Sequence, residues 1–400
     1  MNIKINIEKL DDYGRGIGYY NNKIIFIDNA LIGEVVLVDI VRETSKYYEG
    51  KVTKYLKVSD KRIESACPYY DKCGGCSLLH IGYKEQSEFK LEKLKNILSK
   101  FANIESQIEY IKNDSSYNYR NKVELKIENN LWGYYNSNTH DFVSIDKCLL
   151  GSKVINKVIE NKNLFDIKSG SITIRSNYND EVLISIYSKD RFSIDIDKLK
   201  NIVKLVGVVV NDKKYYGEDY FIELVKDRYF KVNYNSFFQV NLNVINKLID
   251  IINELELGNN LLDLYCGVGF FGLVLSDKFD NIYGIEKNQN SVLDAIYNAS
   301  FNNIKNTSYL CGDSSKLISK IKDNIDTIII DPPRTGLVNN MIEDILNINA
   351  KNIIYVSCNP VSLARDLNML KECYKIKKIY LFDMFSNTYH IESMVILNKK

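Results

Sequence analysis

At 400 residues the chain is too long for one ordinary hydrophobic core, so two or three domains are expected. A composition of 45% hydrophobic and 26% charged residues is ordinary for a soluble globular protein. The net charge of +2, from 53 basic against 51 acidic residues, excludes the overall basic excess of many nucleic-acid binders, so any phosphate-binding surface must be local. Lys51, Lys54, Lys57, Lys61 and Arg62 form one such run, and Lys371, Lys375, Lys377 and Lys378 another; a solvated face is the plainer reading of both. No apolar run reaches the roughly 20 residues that span a bilayer, and Met1–Ile5 lacks a signal pattern, so no membrane association is expected. Eight cysteines without an export signal point to a reducing cytoplasm, with thiols used for metal or catalysis.

Residues 1–62 read as a small β-barrel of oligonucleotide-binding type. Apolar and polar residues alternate over Ile3–Ile7, a glycine-punctuated turn follows at Gly14–Gly18, and strand-like runs come at Ile24–Ile27, Val35–Val41 and Gly50–Tyr55. A β-module without a ligand fits the same pattern. Residues 63–235 read as a central α+β domain. It opens on Cys67, Cys73 and Cys76, spaced C-x₅-C-x₂-C, with Cys148 far downstream. Zinc, an iron–sulfur cluster, a redox pair at Cys73–Cys76 and unpaired structural thiols are all open readings of this set. Phe89, Leu94, Ile97, Leu98 and Phe101 then mark an amphipathic helix. Strands are expected at Lys122–Ile127, Ser171–Ile174, Val182–Tyr187 and Tyr220–Leu224.

Residues 236–400 read as a Rossmann-like α/β domain. Strand candidates at Asn260–Tyr265, Asn281–Glu286, Thr307–Cys311, Thr327–Asp331, Asn352–Ser357 and Lys377–Phe382 are separated by helical stretches, which implies a parallel sheet. Only a loop separates the sixth candidate from the last, Met394–Leu397, so these two should pair antiparallel. The first strand runs into Gly267-Val-Gly269-Phe-Phe-Gly272, and Glu286 ends the second, where a carboxylate can accept ribose hydroxyls. A nicotinamide enzyme and a methyltransferase both carry such a loop. The acidic motif Asp331-Pro332-Pro333-Arg334 at the end of the fourth strand favours the methyltransferase.

The fifth strand ends in Ser357-Cys358-Asn359-Pro360, at the edge where ligands of such sheets bind. A lone cysteine is more often a small buried hydrophobe. Here the start of a helix follows, and its dipole favours thiolate. Glu392 reaches the same edge just before the last strand, and His390 is a rival proton acceptor.

Ser357-Cys358-Asn359-Pro360 with Leu363-Ala364-Arg365-Asp366-Leu367, Asp331-Pro332-Pro333-Arg334 and His390-Ile391-Glu392 together resemble the RNA uracil-C5 methyltransferase family, over nearly the whole chain. Residues 1–62 are similar to the TRAM domain of its 23S ribosomal RNA members, with Gly14-x-Gly16-x-Gly18 and then Gly33-Glu34; Ile32 replaces the usual proline. The resemblance implies Cys358 as nucleophile and Glu392 as base. It implies S-adenosylmethionine against Gln239, Tyr265, Glu286 and Asp331, with Asp313 as a further adenine contact. It implies a 4Fe–4S cluster on Cys67, Cys73, Cys76 and Cys148. The chain departs from the family near the base, with Ser386 where proline is common and Tyr389 where glycine or histidine is. The expected partner is RNA, ribosomal before transfer RNA, and the expected state is a cytoplasmic monomer. An amino-methyltransferase would follow Asp-Pro-Pro with an aromatic residue and needs no cysteine. A non-catalytic RNA binder would not need Cys358, Glu392 and an intact glycine loop.

Overall fold

The computed structural model describes residues 3–136, 139–321 and 323–400. Met1 and Asn2, at the head of the expected barrel, and Ser137, Asn138 and Lys322 lie outside the described residues. The chain forms two compact units: one holds the residues up to Lys93 with Tyr134–Val143 and Phe385–His390, and the other holds Leu94–Gly133, Ser144–Met384 and Ile391–Lys400. Among the described residues no helix is long and apolar enough to cross a membrane.

The first unit is built on a six-stranded sheet. In spatial order its strands are Ile3–Asn6, Val35–Glu43, Tyr47–Lys57, Lys23–Ile27, Gly16–Tyr20 and Lys9–Leu10. The inward residues of the alternating pattern, Ile3, Ile5, Ile25, Ile27, Val36 and Val38, form its core. Gly16 and Gly18, expected in a turn, lie in a strand instead. A Cβ on Gly18 would sit 2.3 Å from Ile5 Cγ2 and 2.7 Å from the Asn6 carbonyl, so the glycines let two backbones approach. Glu34 is buried, and its carboxylate accepts from Arg62 at 2.6 and 2.7 Å and from the Leu31 N–H at 2.8 Å. Arg62 therefore serves an internal pair rather than a phosphate. The cysteine segment is irregular, and the Tyr70 hydroxyl ties it together by bonding the Ser77 carbonyl at 2.8 Å and His80 Nδ1 at 2.5 Å.

The second unit contains an eight-stranded sheet and most of a seven-stranded one, whose outer strands include residues of Tyr134–Val143. The seven-stranded one runs Phe142–Ser144, Leu131–Tyr135, Lys122–Glu128, Ser169–Ser176, Glu181–Tyr187, Lys204–Val210, Lys213–Gly217 in spatial order. The eight-stranded one runs Thr307–Cys311, Asn281–Glu286, Asn260–Leu264, Thr327–Ile330, Asn352–Ser357, Glu392–Lys399, Tyr374–Phe382, Ile108–Ile111. Its first five strands pair parallel, and Glu392–Lys399 is antiparallel to both neighbours, as the short final loop requires. The strand order reverses beside Asn260–Leu264, which opens a crevice at the carboxyl ends of that strand and Thr327–Ile330. The edge strand Ile108–Ile111 comes from far upstream, and its four residues carry too little pattern to announce it. In the second basic run, Lys378 pairs with Glu109 at 2.9 Å and Lys371 donates to the Ala102 carbonyl at 2.5 Å.

The close approach at Gly18 is testable. Gly18→Ala should cost roughly 1–3 kcal/mol, the range for overpacking a tight core. The check is the thermal midpoint of the full chain, which should fall; an unchanged midpoint would mean the two strands move apart without cost.

Candidate active site

The loop after Asn260–Leu264 is shaped by backbone. Tyr265 has φ 62°, a left-handed conformation unusual for a bulky aromatic residue. Its N–H donates to the Ile285 carbonyl at 2.9 Å, which helps to hold it there. Gly267 (φ 54°) and Gly269 (φ 80°) continue the turn, and a Cβ on Gly267 would meet nothing within 4 Å. The loop thus presents bare backbone to open space. Glu286 faces it: one carboxylate oxygen accepts the Gly267 N–H at 3.2 Å and the other the Asn288 N–H at 2.7 Å. Beneath, the buried Asp263 accepts the Gly272 N–H at 3.0 Å, while its other oxygen has no partner. Burial pushes the Asp263 carboxyl up to about 8, and the charges of Asp331 and Glu286 add to the shift. Burial likewise raises Tyr265 to about 12, with Asp313, Asp366 and Glu286 contributing. Tyr265, Glu286, Asp313 and Asp331 are thus brought into one acidic crevice. The contacts that tie them together do not extend to Gln239, whose carbonyl accepts from Asn121 at 3.0 Å in the segment leading into the helix Leu242–Asn253.

The second half of the site lies at the ends of two paired strands. Ser357 is in register with Ser393, and the Ser393 hydroxyl donates to the Ser357 carbonyl at 3.1 Å. Cys358 follows Ser357 and Glu392 precedes Ser393, so the antiparallel register sets thiol and carboxyl at the same sheet end. Burial raises the Cys358 thiol; Glu392 and Asp331 raise it further, while the guanidinium of Arg334, hydrogen-bonded to it, pulls it down. The expected gain from the following helix, Pro360–Leu370, does not win, because Asn359 accepts the Val361 N–H and two carboxylates face the sulfur. Glu392 is buried and also raised, by burial first and then by Asp331, with Arg334 opposing. Burial raises Asp331 as well.

The motifs around these groups hold the loops that carry them. The Arg334 carbonyl accepts from Asn359 Nδ2 at 2.8 Å and from the Ser362 hydroxyl at 3.1 Å. Arg365 donates to the carbonyls of Thr335 and Leu337 at 3.1 and 2.9 Å. Asp366 accepts the Leu337 N–H at 2.9 Å and the Tyr355 hydroxyl at 2.6 Å. Gly336 (φ 74°) cannot carry a side chain, since a Cβ would fall 2.7 Å from both Arg365 and Asp366. Sequence reasoning used Arg334 only to separate enzyme classes and missed it as the cation of the site. It also missed Asp263, whose position before the glycine loop was the available signal. His390 belongs to the first unit, where its ring lies 4.2 Å from that of Tyr389.

Residues 82–400 match the tRNA (uracil-5-)-methyltransferase family, and residues 2–53 match the TRAM domain. The chain belongs to the tRNA (uracil-5-)-methyltransferase family. It is 32% identical to an RNA methyltransferase of Clostridium tetani over 96% of this chain and 93% of that one. It is 33% identical to an RNA methyltransferase of Aquifex aeolicus over 100% of this chain and 99% of the relative. Among solved structures, the Pyrococcus abyssi tRNA (uracil-54, C5)-methyltransferase in complex with S-adenosyl-L-homocysteine is similar, with a TM-score of 0.81, 25% identity and coverage of 99% of this chain and all of that one. The family and the fold agree with the expected Rossmann-like methyltransferase domain behind an N-terminal TRAM barrel.

The cysteine set does not follow the expectation as directly. Cys67, Cys73, Cys76 and Cys148 are half-buried and form no disulfide. The first three belong to the first unit and Cys148 to the second. Among the described residues no group of three or more His, Cys, Asp or Glu side chains is gathered to hold a metal. Cys73 Sγ accepts the Gly75 N–H at 3.4 Å, and the peptide of Cys148 is held by Asn156 at 2.8 and 3.0 Å. No chemistry is routed through a cluster.

The opposing charges around Cys358 give a signed test. Glu392→Gln removes a negative neighbour, so alkylation of Cys358 by iodoacetamide should rise at lower pH. Arg334→Gln removes the positive one, so it should require higher pH. Peptide mass spectrometry across pH reads the shift at Cys358 alone; movement in the same direction for both variants would exclude the electrostatic account.

Proposed function

We propose that this chain transfers a methyl group from S-adenosylmethionine to carbon 5 of a uracil in RNA, with Cys358 as nucleophile and Glu392 as base. The observation that carries the reading is the register that sets Cys358 and Glu392 at one sheet end, beside Asp331 and Arg334. Family membership supports it independently. Tyr265, Glu286, Asp331 and Gln239 are the proposed cofactor contacts. A crevice of carboxylates suits a ligand that carries a sulfonium and an ammonium, and the bare backbone at Gly267 leaves it room. When bound, S-adenosylmethionine supplies an electrophilic methyl group.

The residues of the chain do the rest. Carbon 5 of uracil is a poor nucleophile. The Cys358 thiolate adds to carbon 6, and the displaced electron pair makes an enolate with its nucleophilic end at carbon 5. Once carbon 5 carries the methyl group, Glu392 takes the remaining carbon 5 proton. The electrons of that bond re-form the double bond and expel the thiolate. Arg334 favours the ionised form of both Cys358 and Glu392.

The proposed organisation is a TRAM-like barrel at 1–62 that grasps RNA, a central region at 63–235 and the methyltransferase domain at 236–400. Ribosomal RNA is the proposed substrate ahead of transfer RNA, because of the barrel. The P. abyssi relative, which acts on transfer RNA, supports the second reading. The enzyme is proposed to work as a cytoplasmic monomer.

Glu392→Gln should add to uracil and accept the methyl group but stall before elimination, with turnover down about 10²–10⁴-fold. Incubation with methyl-labelled cofactor and RNA lacking 5-methyluridine, ribosomal and transfer in separate arms, should give a labelled protein–RNA band on a denaturing gel. Cys358→Ala should give none. A labelled band with His390→Ala and none with Glu392→Gln would move the base role to His390. The RNA arm that carries the band identifies the substrate class.

The 4Fe–4S cluster is proposed on donor chemistry alone: four cysteines outside disulfides, three of them within ten residues. Protein prepared without air should be brown and hold iron and sulfide, and replacing any one of Cys67, Cys73, Cys76 or Cys148 should remove both. Stoichiometric zinc, or colourless protein without iron, counts against it.

A further inference from the structure

The first unit contains a cavity of about 460 Å³ that the proposed reaction does not use. Its size lies within the range of small-ligand sites, about 300–1,000 Å³. Its walls are aromatic. The Tyr13 and Tyr389 rings meet edge to face, 5.1 Å between centroids, and Tyr13 is 55% exposed. The Arg15 guanidinium lies 5.6 Å from the centre of Tyr13 and 4.6 Å from that of Phe26. Asp28, Gly74 and Gly75 also line the cavity. A Cβ on Gly75 would meet only Cys73 Sγ at 3.5 Å, so a ligand backbone can approach closely there.

The walls are held before any ligand arrives. Asp11 accepts from the N–H of Tyr13 at 2.9 Å, from that of Arg15 at 2.8 Å and from the Arg15 side chain at 2.7 Å. Both peptide groups of Tyr389 are engaged: its N–H donates to the Ser77 hydroxyl at 2.8 Å and its carbonyl accepts from Lys93 at 3.0 Å. Gln86 pins Asn387 through two hydrogen bonds of 3.1 and 3.2 Å. Ordered aromatic faces, a guanidinium and hydrogen-bonding groups form the combination that receives a splayed nucleobase. Tyr389 also stands three residues before Glu392 along the chain.

We propose that this cavity receives one unpaired nucleotide of the RNA, other than the uridine that is methylated, with its base stacked on Tyr13 and Tyr389. The proposal rests on the reading of the chain as an RNA-modifying enzyme. Arg15 and Lys93 supply local positive charge next to the stacking faces, which the near-neutral chain as a whole does not. Asp28 can accept from a base N–H.

The test uses the full chain, prepared without air, and an RNA hexamer of cytidines with one central 2-aminopurine. The probe contains no uracil, so it cannot react. Wild-type protein should quench the 2-aminopurine. Tyr13→Ala and Tyr389→Ala should each weaken binding about tenfold and restore the fluorescence, in line with the worth of one stacked base. Tyr13→Phe and Tyr389→Phe keep the rings and should retain both binding and quenching, which separates stacking from a folding defect. A hexamer with an abasic site in place of the 2-aminopurine should bind wild type as weakly as the alanine variants bind the probe. Unquenched probe on wild type, or quenching unaltered in both alanine variants, overturns the proposal. Methyl transfer to RNA is measured on the same preparation. Transfer without quenching defeats the pocket alone, and quenching without transfer defeats the enzymatic reading and leaves the pocket standing.

Discussion

The chemistry of this chain depends on one strand register. Glu392–Lys399 inserts antiparallel between Asn352–Ser357 and Tyr374–Phe382, with Ser393 opposite Ser357. Side chains alternate across a sheet, so a slip of one residue would turn Glu392 to the other face and move it away from Cys358. The pairing resists slipping because the strand is buried on both faces: Met394, Val395, Ile396 and Leu397 are all nearly inaccessible. Burial of an unbroken apolar run thus fixes, at its end, the position of a charged group.

The same burial sets the electrostatics. Asp263, Asp331 and Glu392 all crowd the carboxyl ends of the strands; burial pushes each carboxyl up, and other carboxylates add to the shifts of Asp263 and Glu392. Such a crevice is unfavourable as it stands and favourable around a cation. Tyr265 adds strain of a different kind, with an aromatic side chain in a left-handed backbone conformation where glycine is the ordinary choice. Strain and crowded charge at one place, in a sheet otherwise regular, mark where stability has been exchanged for binding.

Most of the α/β frame was legible because its signals are local. Strands such as Asn281–Glu286 and Thr307–Cys311 are short apolar runs bounded by turns, and the structure keeps them residue for residue. The crevice was legible because glycine loop, Asp331 and Cys358 all fall at strand ends, and topology puts those ends together. What was not legible is long-range. Ile108–Ile111 joins the sheet from the far side of the central region, and four residues give no periodicity. Gly14–Gly18 looked like a turn because glycine most often means one, whereas Gly16 and Gly18 lie in a strand packed close to another. Arg62 looked like a surface charge, and only the fold reveals the buried Glu34 that it neutralises. The acidity of Cys358 was misjudged for the same reason: the helix start is visible in sequence, but the carboxylates facing the sulfur come from the other strands.

That misjudgement has a mechanistic consequence. A thiol raised by burial and by Glu392 stays largely protonated while the site is at rest, which spares it from oxidation and stray alkylation. Glu392, raised by burial and by Asp331, is for the same reason a stronger proton acceptor once ionised. Burial is the first cause of both shifts and the charge of Asp331 adds to each, so a positively charged ligand near Asp331 relieves that shared part of both. In the proposed reaction, cofactor binding then favours the thiolate that would add to carbon 6 and the carboxylate that would take the carbon 5 proton. Arg334, fixed through its carbonyl by Asn359 and Ser362, acts in the same direction from within the protein. The resting site is held back in part by the same charges that make it receptive to a cation, so in the proposed reaction the thiolate that adds to carbon 6 is favoured once the methyl donor is in place.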